Sequence, residues 1–266
     1  HNVTIKGLNP GMRSNIDVNG INDLLGPGGG SKLVARNAEA AIKVETGMKG
    51  VKIMNLMVSG GTEAKNIGIH FVGATDNGML SNIIGINLHT GVKIEQAKNM
   101  QIVNCWVCEL PNSIELIGGE NIVVKNCQLG AQPTGITCKV QEVNKLSFIN
   151  NQVYPDGREN LVLDACNNCV IEGNNFKSYY NGILVLNGND NTVNKNIFWL
   201  TGAVQNQLLD HGDDFGIINV KGNNNMVASN SLSCEWAYAG AVTVNAVQGT
   251  GNVFKNCFVD NLESYR

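Results

Sequence analysis

The chain has 266 residues, of which only 15% are charged, with a net charge of -3 and 31 glycines. No basic run is present, so we expect no nucleic-acid partner, and no apolar run approaches the roughly 18 residues of a membrane span. Many glycines beside few prolines and aromatic residues favour short strands joined by tight turns.

One short pattern recurs along the chain: a small or polar residue followed by apolar residues at alternate positions. It begins at Ala40, Gly68, Gly91, Ser113, Gly135, Asn160, Gly182, Gly216 and Gly240. Most successive starts are 22 to 25 residues apart, a period that indicates a solenoid. The alternation is that of strands, and the leucine pattern of leucine-rich repeats is missing. The sequence therefore predicts an all-β fold, a parallel β-helix (solenoid) of about nine rungs.

Asparagines recur in the turn after the second strand of successive repeats. They are Asn104, Asn126, Asn150, Asn174, Asn196, Asn230 and Asn256. Equivalent positions of a solenoid stack, and an amide side chain can bond both its own turn and the next rung. We expect these residues to form an interior asparagine ladder with a structural role.

We interpret residues 1–266 as one domain. An inserted loop at residues 201–214 breaks the period and ends in the acidic run "DHGDD". Loops that leave a regular solenoid often carry function. Asp213 and Asp214 are therefore candidate sugar-binding residues, and a solvated acidic loop is the alternative.

A column of outward-facing residues follows from the alternation, because Ile114 and Leu116 are expected to point inward. The column comprises His70, Lys93, Glu115 and Thr137. Glu95 points outward two residues beyond Lys93, one rung from Glu115. Two carboxylates roughly 5 to 9 Å apart are what glycosidic-bond chemistry requires, whereas a solvated ion pair is the alternative.

The eight cysteines are expected to be buried free thiols, since most have apolar neighbours in strand patterns. Two C-x-x-C pairs, "CWVC" and "CNNC", are too far apart on a rigid solenoid to share a zinc ion. We expect neither a metal nor a cofactor.

The stretch from about Glu109 to Trp236 resembles the inulin fructotransferases and difructose-anhydride III hydrolases. Matching phrases include "NSIELIGGENIVVKN", "YPDGR", "CNNC" and "DDFG". The resemblance implies a right-handed parallel β-helix, assembled as a homotrimer with active sites between subunits. In that family an N-terminal cap precedes the first rungs, and the resemblance implies that this cap is missing from the given sequence.

The family's catalytic glutamate matches Glu115. Its catalytic aspartate falls on Val103 or Asn104, neither of which is acidic. Either another carboxylate (Glu95, Glu109, Asp213 or Asp214) substitutes for it, or the activity has changed or been lost. The resemblance implies that Arg158 and the loop bearing Asp213 and Asp214 position sugar rings, with His70, Lys93 and Thr137 as further substrate-binding candidates.

Three functions remain open. The first is a carbohydrate-active enzyme on β-2,1-linked fructosides, either a fructotransferase of the lyase class or a glycoside hydrolase. The second is a polysaccharide lyase or hydrolase of other specificity, and the third is a non-catalytic glycan-binding β-helix. The resemblance favours an extracellular protein, while eight free thiols suit a reducing compartment.

Overall fold

The computed structural model describes residues 2–7, 31–61, 65–179, 183–200, 216–234 and 242–260, without side chains for residues 242–247. These residues form strands and turns, and none of them is helical. The first strands are β1 (Thr4–Lys6), β2 (Lys32–Ala35), β3 (Ala40–Val44), β4 (Lys52–Gly60), β5 (Ile67–Phe71), β6 (Met79–Ile86), β7 (Thr90–Val103), β8 (Trp106–Lys125), β9 (Gln128–Ile149), β10 (Gln152–Val153) and β11 (Glu159–Asp164).

The remaining strands are shorter on average. They are β12 (Val170–Glu172), β13 (Asn175–Ser178), β14 (Leu184–Asn187), β15 (Thr192–Asn194), β16 (Ile197–Leu200), β17 (Gly216–Lys221), β18 (Met226–Ala228), β19 (Ser231–Cys234), β20 (Val242–Gln248), β21 (Val253–Lys255) and β22 (Phe258–Asp260). Every recorded pairing is parallel and joins a strand to one on the next turn of the chain.

The strands stack into three parallel faces. Face 1 begins with β1, face 2 with β2 and face 3 with β3, and the longest strands bend through corners to serve two or three faces. Face 3 comprises parts of β7, β8 and β9 together with β3, β5, β11, β14, β17 and β20. These nine described strands are separated by eight full turns of the chain. The predicted parallel β-helix is confirmed, with about eight turns where nine rungs were expected.

The core is a continuous apolar column inside the solenoid, because alternate residues of each strand point inward. Ile69, Val92 and Ile94 are completely buried. Phe176 stacks on Phe198 of the next rung with ring centroids 4.9 Å apart, and on Phe148 at 6.1 Å. Aromatic stacking across rungs adds to the stabilisation from apolar burial.

An interior asparagine ladder exists, but four of the seven predicted members lie outside it. Asn174, Asn196 and Asn230 are buried, and each amide oxygen accepts from the backbone amide of the preceding rung at 2.8 to 2.9 Å. The position preceding Asn174 in the ladder is held by Asn151, which is fully buried. The mispredicted residues are Asn104, Asn126, Asn150 and Asn256, which are exposed and have φ between 54° and 56°.

The error is a shift of one residue at these turns. The residue before each interior position adopts a left-handed conformation, which asparagine tolerates better than most residues. Cys105, Cys127 and Cys257 follow such asparagines and occupy the interior column that Asn151 continues. A second ladder, which the sequence analysis missed, joins Asn191 to Asn225 at 3.0 Å and Asn225 to Asn252 at 3.1 Å.

All eight cysteines are free, and seven of them are buried, as predicted. Cys105 and Cys127 are 2% and 1% exposed. Burial in the apolar core raises the pKa of Cys138 well above its ordinary value. No described segment is a helix of the length and apolarity that a membrane crossing requires.

Candidate functional site

Strand register on face 3 fixes the predicted surface column. Lys43 pairs with His70, His70 with Lys93, Lys93 with Glu115, and Glu115 with Lys139. Ile114 and Leu116 on either side of Glu115 are each 1% exposed. Glu115 therefore points outward beside Lys93, as the alternation predicts. His70 shares this column but is not at the surface, since it is buried and only 5% exposed.

Thr137 was wrongly placed in this column. It pairs at the level of Ser113, is fully buried, and its hydroxyl accepts a 3.2 Å bond from the amide of Ala131. The register between β8 and β9 shifts after the pair Leu110 and Ala131 and resumes at Asn112 and Ile136. Relative to the pair Val107 and Leu129, the register at Asn112 and Ile136 has moved by two residues, so the counterpart of Glu115 is Lys139 and not Thr137.

A cluster of charges surrounds His70. Its Nδ1 lies 3.8 Å from Glu39 Oε1 and its Nε2 lies 3.5 Å from Glu95 Oε2, while the Nζ of Lys93 lies 2.9 Å from Glu95 Oε1. The hydrogen bond from Lys93 lowers the pKa of Glu95 against the opposing effect of burial, and the charges of Lys93 and His70 lower it further. Glu95 is therefore held as a carboxylate.

Glu115 lies in a different environment on the same face. Its Oε1 accepts a long 3.5 Å hydrogen bond from the hydroxyl of Thr90, which is 2% exposed. The same hydroxyl lies 3.1 Å from Nδ1 of His89, so it is within hydrogen-bonding distance of both the imidazole and the carboxylate. Sequence reasoning missed His89 and Thr90, although polar residues just before the start of a rung were the available signal.

The two carboxylates belong to neighbouring rungs. Lys93 pairs with Glu115 and Glu95 with Ile117, so Glu95 and Glu115 stand diagonally across one rung step and two residues. With about 4.8 Å per rung and about 3.3 Å per residue, their Cα atoms are about 8 Å apart. The register thus places the two carboxylates on adjacent rungs of the same face.

Other candidates lie outside this cluster. Glu109 is exposed with φ of 62° on β8, where the chain turns from face 2 to face 3. Arg158 begins the face-3 segment two rungs beyond Glu115, and its Nε lies 3.7 Å from Glu159 Oε1. Val103 ends the face-1 part of β7, and Asn104 forms the exposed turn that follows. Asp213 and Asp214 lie outside the described residues.

A protein-family model matches most of this chain. The model described as "Periplasmic copper-binding protein (NosD)" matches residues 35–198 and 90–266. The chain belongs to the NosD family. No curated protein sequence matches this NosD-family chain.

Solved structures show the same fold as this NosD-family chain. The DFA-IIIase (difructose anhydride III hydrolase) of Arthrobacter chlorophenolicus A6 without its lid has a TM-score of 0.82 at 23% identity, covering 98% of this chain and 74% of that one. The C387A mutant of that enzyme in complex with DFA-III gives 0.79 at 24%, covering 96% and 68%. The resemblance seen in the sequence is thus confirmed at the level of fold.

A more distant relative of the fold carries a different chemistry. The alginate lyase of Paenibacillus sp. str. FPU-7 has a TM-score of 0.59 at 11% identity, covering 89% of this chain and 99% of that one. The same fold therefore occurs in enzymes named for different carbohydrate substrates, so function has to be argued from the residues of the site.

Proposed function

We propose that this protein is a carbohydrate-active enzyme that cleaves or forms the bond of β-2,1-linked fructosides. The observation that carries the proposal is the pair Glu95 and Glu115, two carboxylates on adjacent rungs of one face in different surroundings. Lys93 holds Glu95 as a carboxylate, which suits a charge-stabilising role and leaves the acid role to Glu115. The fold shared with the DFA-IIIases supports the choice of substrate.

Glu115 is assigned as the general acid. It delivers its proton to the glycosidic oxygen as the bond to the sugar breaks. The carboxylate left behind accepts the hydrogen bond from Thr90, whose hydroxyl is held in turn by His89. The same carboxylate then takes a proton from the attacking hydroxyl. That hydroxyl belongs to water in hydrolysis and to the neighbouring sugar in cyclisation.

Glu95 is assigned as the carboxylate that steadies the oxocarbenium-like charge on the sugar. Lys93 and His70 lower its pKa, so it is ionised at neutral pH, when the transition state needs a negative group. The roles of Lys93 and His70 are therefore to hold Glu95, and Lys139, one rung beyond Glu115, adds a cation for sugar hydroxyls.

One observation favours a second candidate function. Lys43, Lys93 and Lys139 share a column with His70 and Glu115, and a row of cations suits a polysaccharide that carries carboxylates. A lyase for such a substrate would leave unsaturated uronide ends. Glycan binding without turnover is the remaining alternative.

The experiment compares Glu115→Gln and Glu95→Gln with wild type on inulin, DFA-III, pectin and alginate. We expect each substitution to lower kcat on a fructoside by about 10²- to 10⁴-fold, the usual contribution of an acid-base group. Glu120→Gln is the matched control, because Glu120 pairs with Lys145 away from the cluster. Unchanged turnover in Glu115→Gln would overturn the assignment, and unsaturated products would establish the lyase.

Copper binding, which the family description names, does not fit the described residues. Copper prefers clustered thiolate, thioether or imidazole ligands. No group of three or more His, Cys, Asp or Glu side chains within the described ranges is arranged so that it could hold a metal ion. The thiols of Cys166 and Cys169 are fully buried and donate to backbone carbonyls at 3.3 and 3.4 Å. No step of the proposed reaction is therefore assigned to copper.

Self-association as a homotrimer with sites between subunits is part of the same proposal. It would bring residues of a second copy, such as Arg158 or Asp213 and Asp214, to a sugar bound at Glu115. Sedimentation of the purified chain tests it, since a trimer has about three times the 28.5 kDa of one chain.

A further inference from the structure

A small cavity lies on the outer side of face 2, apart from the Glu95 and Glu115 pair. Its volume is about 120 Å³, and its described lining residues are Trp106, Cys108, Glu109, Gly130, Tyr154 and Asp156. Cavities for whole drug-sized ligands are several times larger, roughly 300 to 1,000 Å³. The space therefore suits part of a ligand about the size of one ring.

The floor of the cavity is aromatic and firmly held. Trp106 is only 8% exposed and packs in an apolar cluster with Ile84 and Cys108. The Tyr154 hydroxyl donates a 3.1 Å bond to the side-chain oxygen of Gln128. The side chain of Tyr154 also packs against the backbone of Gly130, where an added Cβ would lie 2.9 Å from the Tyr154 Cβ.

The rim of the cavity carries two carboxylates. Glu109 has φ of 62°, an uncommon conformation for glutamate, and Gln132 Nε2 donates a 3.2 Å bond to its carbonyl oxygen. Asp156 belongs to the "YPDGR" turn, and partial burial of its carboxyl group raises its pKa. No cation within the described segments forms a salt bridge with either residue.

We infer that this cavity is a sugar-binding subsite that takes one ring of a glycan. The apolar C–H face of the ring would lie on Trp106 and Tyr154, since aromatic side chains combine apolar area with low conformational cost. Its hydroxyl groups would donate to Glu109 and Asp156, because ionised carboxylates are acceptors only. No bond is made or broken in this step.

Only a short segment of chain separates the cavity from the proposed catalytic face. Glu109 and Glu115 lie on the same strand, six residues apart, so at most about 20 Å of extended chain separates them. Between them, the Ser113 hydroxyl donates 2.7 Å to the carbonyl of Val107 and accepts 3.2 Å from the amide of Gly130, which forms the cavity wall. An oligosaccharide bent around this corner would reach both places. The sugar class rests on the proposed function, whereas the binding site does not.

The test measures binding by calorimetry in a Glu115→Gln background, so that no turnover consumes the ligand. The probes are GF2, a ligand of the DFA-IIIase structures, and a short alginate oligosaccharide. We expect the double variant Glu109→Gln/Asp156→Asn to raise Kd at least tenfold for the sugar that binds. Gly130→Ala, which displaces Tyr154, should raise Kd similarly without removing any polar group.

Glu142→Gln is the matched control, because Glu142 is also an exposed glutamate with positive φ, 55°, at another corner of the solenoid. It should leave Kd within twofold of the background. The inference is overturned if the double variant and Gly130→Ala also stay within twofold, or if neither probe binds the background protein. The proposed function is tested separately, by the turnover of Glu115→Gln in otherwise wild-type protein.

Discussion

The Nζ of Lys93 lies 2.9 Å from Oε1 of Glu95, two residues further along the same strand. Both side chains point out of face 3, where the exposed fractions are 24% for Lys93 and 27% for Glu95. The pair is shielded enough for Lys93 to determine the protonation of Glu95. It also keeps a negative charge at neutral pH on the rung next to Glu115, the residue assigned as the acid.

Lys93→Met should raise the pKa of Glu95 toward its ordinary value. A carboxyl group with a lowered pKa in the folded state stabilises the fold above its unfolded pKa, and this contribution disappears as the pH falls through the folded pKa. We expect a loss of roughly 0.5 to 1 kcal/mol at pH 7 that vanishes in acid. Urea unfolding of both proteins across this pH range measures it.

Lys145→Met serves as the control for that experiment, because Lys145 pairs with the more exposed Glu120. It should change the unfolding curves less at every pH. A loss in Lys93→Met that persisted below the pKa of Glu95 would mean that Lys93 stabilises by packing of its methylene groups and not by charge.

Asn174→Ala should destabilise the solenoid strongly. The Asn174 side chain accepts from the backbone and side-chain amides of Asn151 at 2.8 and 3.0 Å, and donates to the carbonyl of Phe148 at 2.8 Å. Each buried group left unpaired costs about 1 to 3 kcal/mol, so the total is about 3 kcal/mol or more. Chemical denaturation measures the free energy of unfolding.

Asn150→Gly is the matched control at the neighbouring turn. Asn150 is exposed with φ of 54°, a conformation that glycine adopts readily. The change should cost less than about 1 kcal/mol. Equal losses for the two substitutions would contradict the distinction between the interior ladder and the left-handed turn column.

A thiol reagent should modify the native protein at one cysteine at most. Seven of the eight cysteines are buried and only Cys257 is partly exposed, and burial raises the pKa of Cys138, which keeps its thiol protonated and unreactive. Reaction with an excess of reagent, read by mass spectrometry before and after denaturation, should give at most one and then eight adducts. Rapid labelling of a second thiol in native protein would refute the burial pattern.

Most of the scaffold could be predicted from the sequence, because every rung of a solenoid repeats the same local pattern of strands and turns. Each rung meets only its neighbours, so strand alternation and a period near 23 residues fix the fold class and the outward direction of Glu115. The same repetition misled where a rung departs from the period. A net shift of two residues between β8 and β9 makes Lys139, and not Thr137, the counterpart of Glu115, and Thr137 is buried at the corner.

The ladder shows a similar limit of sequence reasoning. Asn150 and Asn151 are adjacent and identical in type, yet the first is exposed and the second is fully buried. Only the backbone conformation of the turn separates them, since the left-handed residue points its side chain away from the interior. A pattern of residue types carries no such conformational information.

The sequence by itself determined the parallel β-helix, the buried thiols and the column of His70, Lys93 and Glu115, because these follow from alternation and period. Only the tertiary structure decided which partners surround each carboxylate. Lys93 and His70 contact the carboxylate of Glu95. Thr90 forms a hydrogen bond with Glu115 and lies beside His89. Trp106 and Tyr154 line one cavity together with Glu109 and Asp156. Such contacts join side chains from different rungs, so they depend on strand register and corner geometry that no local pattern specifies.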